Sequence, residues 1–230
     1  IETGAEVWKM PGGFRQTCWG GKAMIADSIV ALQDTYDQRV YALGKGPSAV
    51  TVEAPLTAVT LGTSLVIRGK VTDVSPGTKS DELALRFPNG VPAVSDASMS
   101  EWMKYVYMQF PQPIDTRGVE VRLSVLDANN NYREIGTATG NSDGFFTFNW
   151  TPDIEGQYTV YASFEGSASY WPSHGVTSFA VDHAPAAPAE PEPAVPSMAD
   201  TFFLPAVSGF AVALIVVIVL LAMLLLKKRP

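Results

Sequence analysis

Between Gly156 and Phe164 the chain alternates apolar and polar positions, placing Tyr158, Val160, Ala162 and Phe164 on one face. A period of two is the pattern of a strand with one buried side. The same period runs through Leu65, Ile67 and Val71 around Gly69, through Val119, Val121, Leu123 and Val125, and through Phe146, Phe148 and Trp150. A last apolar set comprises Val176, Phe179 and Val181. Strands recurring at turn-separated intervals predict a β-sandwich over residues 47–182. The segments Asp127-Ala128-Asn129-Asn130-Asn131 and Asn141-Ser142-Asp143-Gly144 each separate two strands. Their residues tolerate positive φ or hydrogen-bond their own backbone. The first also has the oxygen-rich composition of a calcium loop, but it lacks the glycine and the bidentate glutamate at the required spacing and reads as a hairpin turn.

Residues 75–116 interrupt the strand pattern and are too long for a simple loop. Within them Met99, Trp102, Met103, Val106, Tyr107 and Phe110 recur at helical spacing, predicting an amphipathic helix over 98–110. Ser98 or Ser100 is its expected N-cap, and Pro111 follows its end. This helix either closes an open edge of the sandwich or offers Trp102, Val106 and Phe110 as a partner surface.

The pattern changes again at residues 206–226, AVSGFAVALIVVIVLLAMLLL, which carry no charge and no proline. At 1.5 Å per residue such a helix covers the roughly 30 Å hydrocarbon core of a bilayer. The tail 227–230 opens with Lys227-Lys228-Arg229, whereas Glu190, Glu192 and Asp200 precede the span. The positive-inside rule then places the C-terminus in the cytoplasm and the rest outside the cell membrane as a single-pass protein. Residues 183–205 begin HAPAAPAEPEPAVPSMAD, where proline alternates with alanine and acid, and read as a semi-rigid stalk of polyproline II type.

Two resemblances accompany these readings. Trp150-Thr151-Pro152-Asp153-Ile154-Glu155-Gly156-Gln157-Tyr158 resembles the corner between the fifth and sixth strands of immunoglobulin-like domains in prokaryotic surface proteins. The resemblance implies that Tyr158 bonds back to backbone near Asp153, and that Trp150 and other aromatics fill the core. In residues 1–46, Thr3-Gly4-Ala5-Glu6-Val7-Trp8 and Asp37-Gln38-Arg39-Val40-Tyr41-Ala42-Leu43 look like quinoprotein-like (PQQ-like) β-propeller repeats, with Gln38 where such repeats carry glycine. That resemblance implies a partial last blade, with Trp8 docking it on a neighbour and Tyr41 in a blade strand. One blade cannot bury its own faces, and the chain opens on Ile1 without a signal peptide. The rest of the propeller is therefore expected upstream, in the manner of archaeal surface proteins that combine a propeller, an immunoglobulin-like domain and a membrane helix.

The fold class expected is thus all-β: an immunoglobulin-like β-sandwich with a short inserted helix, a partial propeller blade before it and one transmembrane α-helix after it. The net charge is −7, and Lys227, Lys228 and Arg229 lie beyond the apolar run, so the remainder is more acidic still. An acidic ectodomain disfavours nucleic acid as partner and leaves the bilayer, other surface proteins or glycans. Cys18 is the only cysteine and His174 and His183 the only histidines, so no metal-ligand cluster or internal disulfide is expected. No phosphate loop or nucleophile elbow occurs. No catalytic residue, cofactor ligand or metal ligand is nominated in this chain. Asn149-Trp150-Thr151 is a glycosylation sequon on an outward position. The leading expectation is a surface protein for binding, adhesion or envelope architecture. The alternatives are a quinoprotein oxidoreductase using pyrroloquinoline quinone in the upstream propeller, or a stalk subunit of a surface lattice.

Overall fold

A computed structural model describes residues 3–4, 22–36, 38–183 and 197–227. Residues 1–185 and 186–230 form two separate compact units. The first unit contains a three-stranded antiparallel meander, β1 (Met24–Ala26), β2 (Ile29–Asp34) and β3 (Arg39–Leu43). It is followed by a sandwich of two sheets. One sheet has the order β10 (Phe145–Trp150), β6 (Leu65–Asp73), β4 (Ser48–Glu53), with the short β7 (Val91–Pro92) also on β6. The other has the order β5 (Val59–Thr60), β12 (Ser173–Asp182), β11 (Gly156–Phe164), β8 (Glu120–Leu126), β9 (Tyr132–Thr139). Among the described strands β5 and β12 pair in parallel and the other pairs are antiparallel. A chain that repeatedly changes sheet in this way, with its first strand split between both sheets, has the immunoglobulin-like arrangement.

Period-two alternation decides what faces inward. Leu65, Ile67, Gly69, Val71 and Asp73 of β6 are buried, as are Tyr158, Val160, Ala162 and Phe164 of β11. Val121, Leu123 and Val125 of β8 meet them, and Phe146 of β10 is 1% exposed. Phe148 and Trp150 are partly buried against the same core. In β12 the expected inward set needs correction. Phe179 and Val181 are buried, but Val176 is 52% exposed because it is out of phase with them by one residue.

Gly69 shows why the sheet needs a residue without Cβ: an added Cβ would lie 2.0 Å from the Thr51 carbonyl oxygen and 2.5 Å from the Phe146 ring. Gly136, at φ +147°, makes room for Phe148, whose ring atoms would approach a Cβ to 2.7 Å.

The insertion between β6 and β8 is richer than one helix. It holds a 3₁₀ turn (Pro76–Lys79), α1 (Asp81–Arg86), β7 and α2 (Asp96–Met108). The helix expected at 98–110 thus starts and stops earlier. Ser95, not Ser98 or Ser100, occupies the N-cap position, and Ser98 Oγ instead accepts the Arg117 N–H at 3.1 Å. Gln109 ends the helix in the left-handed region at φ +59°, before Phe110. Trp102 and Val106 face a second core with Leu83, Val91 and Val94, bordered by Phe87, Met99, Met103 and Tyr105. The Trp102 ring lies 5.4 Å from Tyr105 and 5.9 Å from Phe87. Arg86 ties the two helices by donating to the carbonyls of Val106 at 3.0 Å and Tyr105 at 3.1 Å. These lie in the last turn of α2, where carbonyls lack helical partners and a cation is favourable.

In the second unit, α3 (Leu204–Lys227) follows a π-helical turn at Ala199–Phe203. Within Thr201–Lys227 the most apolar 18-residue window has a mean hydropathy of 3.2, and none of that window is buried within the protein. Pro205, which has no N–H to donate, lies just after the junction of the π-helical turn with α3. The helix is long and apolar enough to cross a bilayer. Most of the expected stalk and residues 228–230 lie outside the described residues.

Two substitutions test the two cores. Phe146→Ala should lower stability by about 3–5 kcal/mol through the cavity it leaves. Trp102→Ala should do the same in the insertion. Urea unfolding followed by circular dichroism measures both, and a change below about 1 kcal/mol would mean that the rings are not packed as described.

Candidate functional site at the loop end of the sandwich

Three elements converge at one end of the sandwich: the insertion, the loop 165–172 joining β11 to β12, and the chain entering β4. Asp73 is the last inward residue of β6 and is 6% exposed. Its Oδ1 accepts the Ser75 N–H at 2.8 Å, and its Oδ2 faces the Tyr170 hydroxyl at 3.4 Å. Burial pushes the Asp73 carboxyl above the usual range, against the hydrogen bonds from Ser75 and Tyr170. Burial and the Asp73 charge push the Tyr107 phenol up to about 12, and the same two causes raise Tyr170. Both phenols therefore stay protonated around a desolvated carboxylate, which suits hydrogen-bond donation rather than proton removal.

Asp96, the first residue of α2, holds the neighbouring loop. Its carboxylate accepts from Ser167 Oγ at 2.9 Å, from the Ala168 N–H at 2.9 Å and from the Ser169 N–H at 3.0 Å. Partial burial opposes its charge, but the hydrogen bonds from Ser169, Ala168 and Ser167 outweigh that and keep its carboxyl below the ordinary range. Trp171, 53% exposed, follows, with Lys45 Nζ 4.7 Å from its ring centroid.

The opposite end carries the tyrosine corner. Tyr158 is fully buried, and its hydroxyl accepts the Ile154 N–H at 3.2 Å while lying 3.0 Å from Asp153 Oδ1. Asp153 forms a two-pronged pair with Arg133, with one contact at 2.7 Å. The hydrogen bond from Arg133 is the main cause that depresses the Asp153 carboxyl to about 2. Asp127 serves its own turn by accepting from Asn129 N–H at 2.8 Å and from Asn131 N–H at 2.9 Å, and its carboxyl is lowered first by the Asn131 backbone bond. Its oxygens are thus taken up by the hairpin.

The residues singled out from the sequence fall in different places. Trp150 and Tyr158 come together, ring centroids 5.2 Å apart, with Phe179 5.4 Å from Tyr158. Asn149 is exposed on β10 opposite Val66. Tyr41 is half-buried on β3, while Trp8 and Cys18 lie outside the described residues. The partner surface expected at Trp102, Val106 and Phe110 requires correction. Trp102 and Val106 are 1% and 3% exposed, because α1, β7 and Phe87 cover the apolar face of α2, and Phe110 alone remains half-exposed. Among the described residues no three His, Cys, Asp or Glu side chains converge to hold a metal.

The sequence reading missed Asp73, Asp96, Arg86 and Arg133. For Asp73 a signal existed, since continuing the inward phase of Leu65, Ile67, Gly69 and Val71 lands on it. The partners of Asp96 lie 71 to 73 residues away and leave no local trace.

No family model matches this chain, and no curated protein matches it. Among solved structures it is similar to a CARDB domain of a Pyrococcus furiosus protein, crystallised in complex with di-metal ions, at 13% sequence identity and a TM-score of 0.31. That match covers 60% of this chain and 96% of the other.

The corner carries a signed pH prediction. The folded pKa of Asp153 lies below the ordinary 3.8, so its contribution is present above about pH 4 and lost as pH falls toward about 2. Both side chains are partly exposed, which limits that contribution to about 1 kcal/mol or less. Arg133→Ala should remove this part of the acid sensitivity, read as the difference in urea midpoint between about pH 7 and about pH 3. An unchanged difference would show that the pair carries no such linkage. Tyr158→Phe should cost about 1 kcal/mol at neutral pH by leaving the Ile154 N–H without its acceptor, with an unchanged urea midpoint arguing against that role.

Proposed function

We propose that this chain is an anchored display module: the sandwich stands outside the cell, helix α3 crosses the membrane once, and the basic tail lies in the cytoplasm. The observation that carries the reading is the Thr201–Lys227 stretch, whose most apolar 18-residue window has a mean hydropathy of 3.2, as suits a bilayer solvent. Its orientation is supported by Lys227, Lys228 and Arg229 on one flank and by Glu190, Glu192 and Asp200 on the other. The role assigned is binding, adhesion or envelope architecture at the cell surface, toward other surface proteins or glycans. The proline-rich segment 183–205 serves as spacer.

The propeller reading of residues 1–46 is supported by the meander itself. Met24, Ile25 and Val40 on its strands, and Tyr36 in the β2–β3 turn, are each at least 70% exposed, as in a blade that packs against further sheets. A quinone cofactor has no supporting observation among the described residues and forms no part of the proposal.

Membrane fractionation tests the anchor and its orientation together. The full chain should stay with the membrane through alkaline carbonate washing, and protease added to intact cells should remove the sandwich but spare a C-terminal tag. Release by carbonate, or a tag cleaved in intact cells, would overturn the proposal.

A further inference from the structure

We infer that Lys45-Gly46-Pro47, the connection between the meander and the sandwich, is a rigid coupling locked by the loop 165–172, and not a hinge. The last register pair of the meander is Leu43 with Val30, and the first backbone bridge to the sandwich comes at Gly46. Gly44 already lies against the turn of the meander, since a Cβ there would be 2.9 Å from the Ser28 carbonyl oxygen. The backbone between the two bodies is thus unheld only around Lys45, and Lys45 places its ammonium over the Trp171 ring at 4.7 Å. A tether this short has little freedom to swing.

The lock consists of ladder-type bonds outside any regular sheet. Gly46 N–H donates to the Ser169 carbonyl at 2.9 Å, and Trp171 N–H donates to the Gly46 carbonyl at 2.8 Å. Beyond it, Val74 N–H donates to the Pro47 carbonyl at 3.1 Å, and Ser48 Oγ donates to the Trp171 carbonyl at 2.7 Å. The fit at position 46 is close, since a Cβ there would sit 2.5 Å from Ser75 Oγ and would require that side chain to turn away. A loop can hold a linker only if it is itself held. The Asp96 carboxylate gathers Ser167, Ala168 and Ser169, and Tyr170 is buried against Asp73 on the other side. The loop end of the sandwich therefore serves as the seat of the preceding body, and Asp96 is the positioning residue on which that seat depends.

Hydrogen exchange on the full chain in lipid nanodiscs tests this residue by residue. The Gly46 and Trp171 amides should exchange at least about a hundredfold more slowly than in an unstructured peptide, like their neighbours in β4. In Asp96→Ala their protection should fall about tenfold while that of β8 and β11 is unchanged. Rapid exchange at Gly46 in the unmodified chain, or undiminished protection in Asp96→Ala, would overturn the inference. Should that variant not fold, spin labels at Gln33 and Thr137, with Cys18→Ser, give an independent reading. A narrow distance distribution is expected, and a broad one would show a hinge.

Discussion

Nothing covalent can join the two sheets of the sandwich from within, because the chain has a single cysteine. Burial of the two inner faces must therefore do what a disulfide does in many domains of this shape. The inner face of β6 and that of β11 meet with fully or nearly fully buried Ile67, Val71, Tyr158 and Val160. At one end the aromatic set of Trp150, Tyr158 and Phe179 closes the gap, with edge-to-face contacts at 5.2 and 6.2 Å and a stacked contact at 5.4 Å. Tyr158 performs two jobs at once. Its ring belongs to the core, and its hydroxyl satisfies the Ile154 amide where the chain changes sheet. The arrangement turns a packing residue into the device that fixes the corner.

The other end is organised by polar groups. Asp73 continues the inward phase of β6 past the aliphatic core, so a carboxylate arrives where Tyr170, Ser75 and Tyr107 can surround it. Such a charge is tolerated only when hydrogen-bonded, and it selects one arrangement of the segments around it. The insertion brings its own small core to this end, centred on Trp102. It also brings Asp96, which orders the loop 165–172.

The sequence disclosed the parts governed by local periodicity. The strand containing Tyr158, the helix around Trp102 and the apolar span all follow from spacings of two, three to four, or unbroken hydrophobicity. Strand β9 escaped because, as an edge strand, it alternates weakly: Tyr132 and Glu134 are exposed and Ile135 is only half-buried. Helix α1 escaped because six residues cannot display a helical period. Its presence also explains why the stripe on α2 left two readings open, a covered edge or a partner surface, since periodicity shows that a face is apolar but not what covers it. The clamps made by Asp96 and Arg86 join residues far apart in sequence, and only the fold brings them together. Trp8 lies beyond what the structure describes, so its docking role stays an expectation from resemblance.

The claim on which the account rests is that hydrophobic burial alone holds the sheets together. Urea unfolding of the full chain in detergent, followed by tryptophan fluorescence with and without a thiol reductant, tests it most directly. The account predicts the same midpoint and the same slope under both conditions. A midpoint that falls when the reductant is added would mean that a cross-link through Cys18 contributes to the fold, and would contradict it.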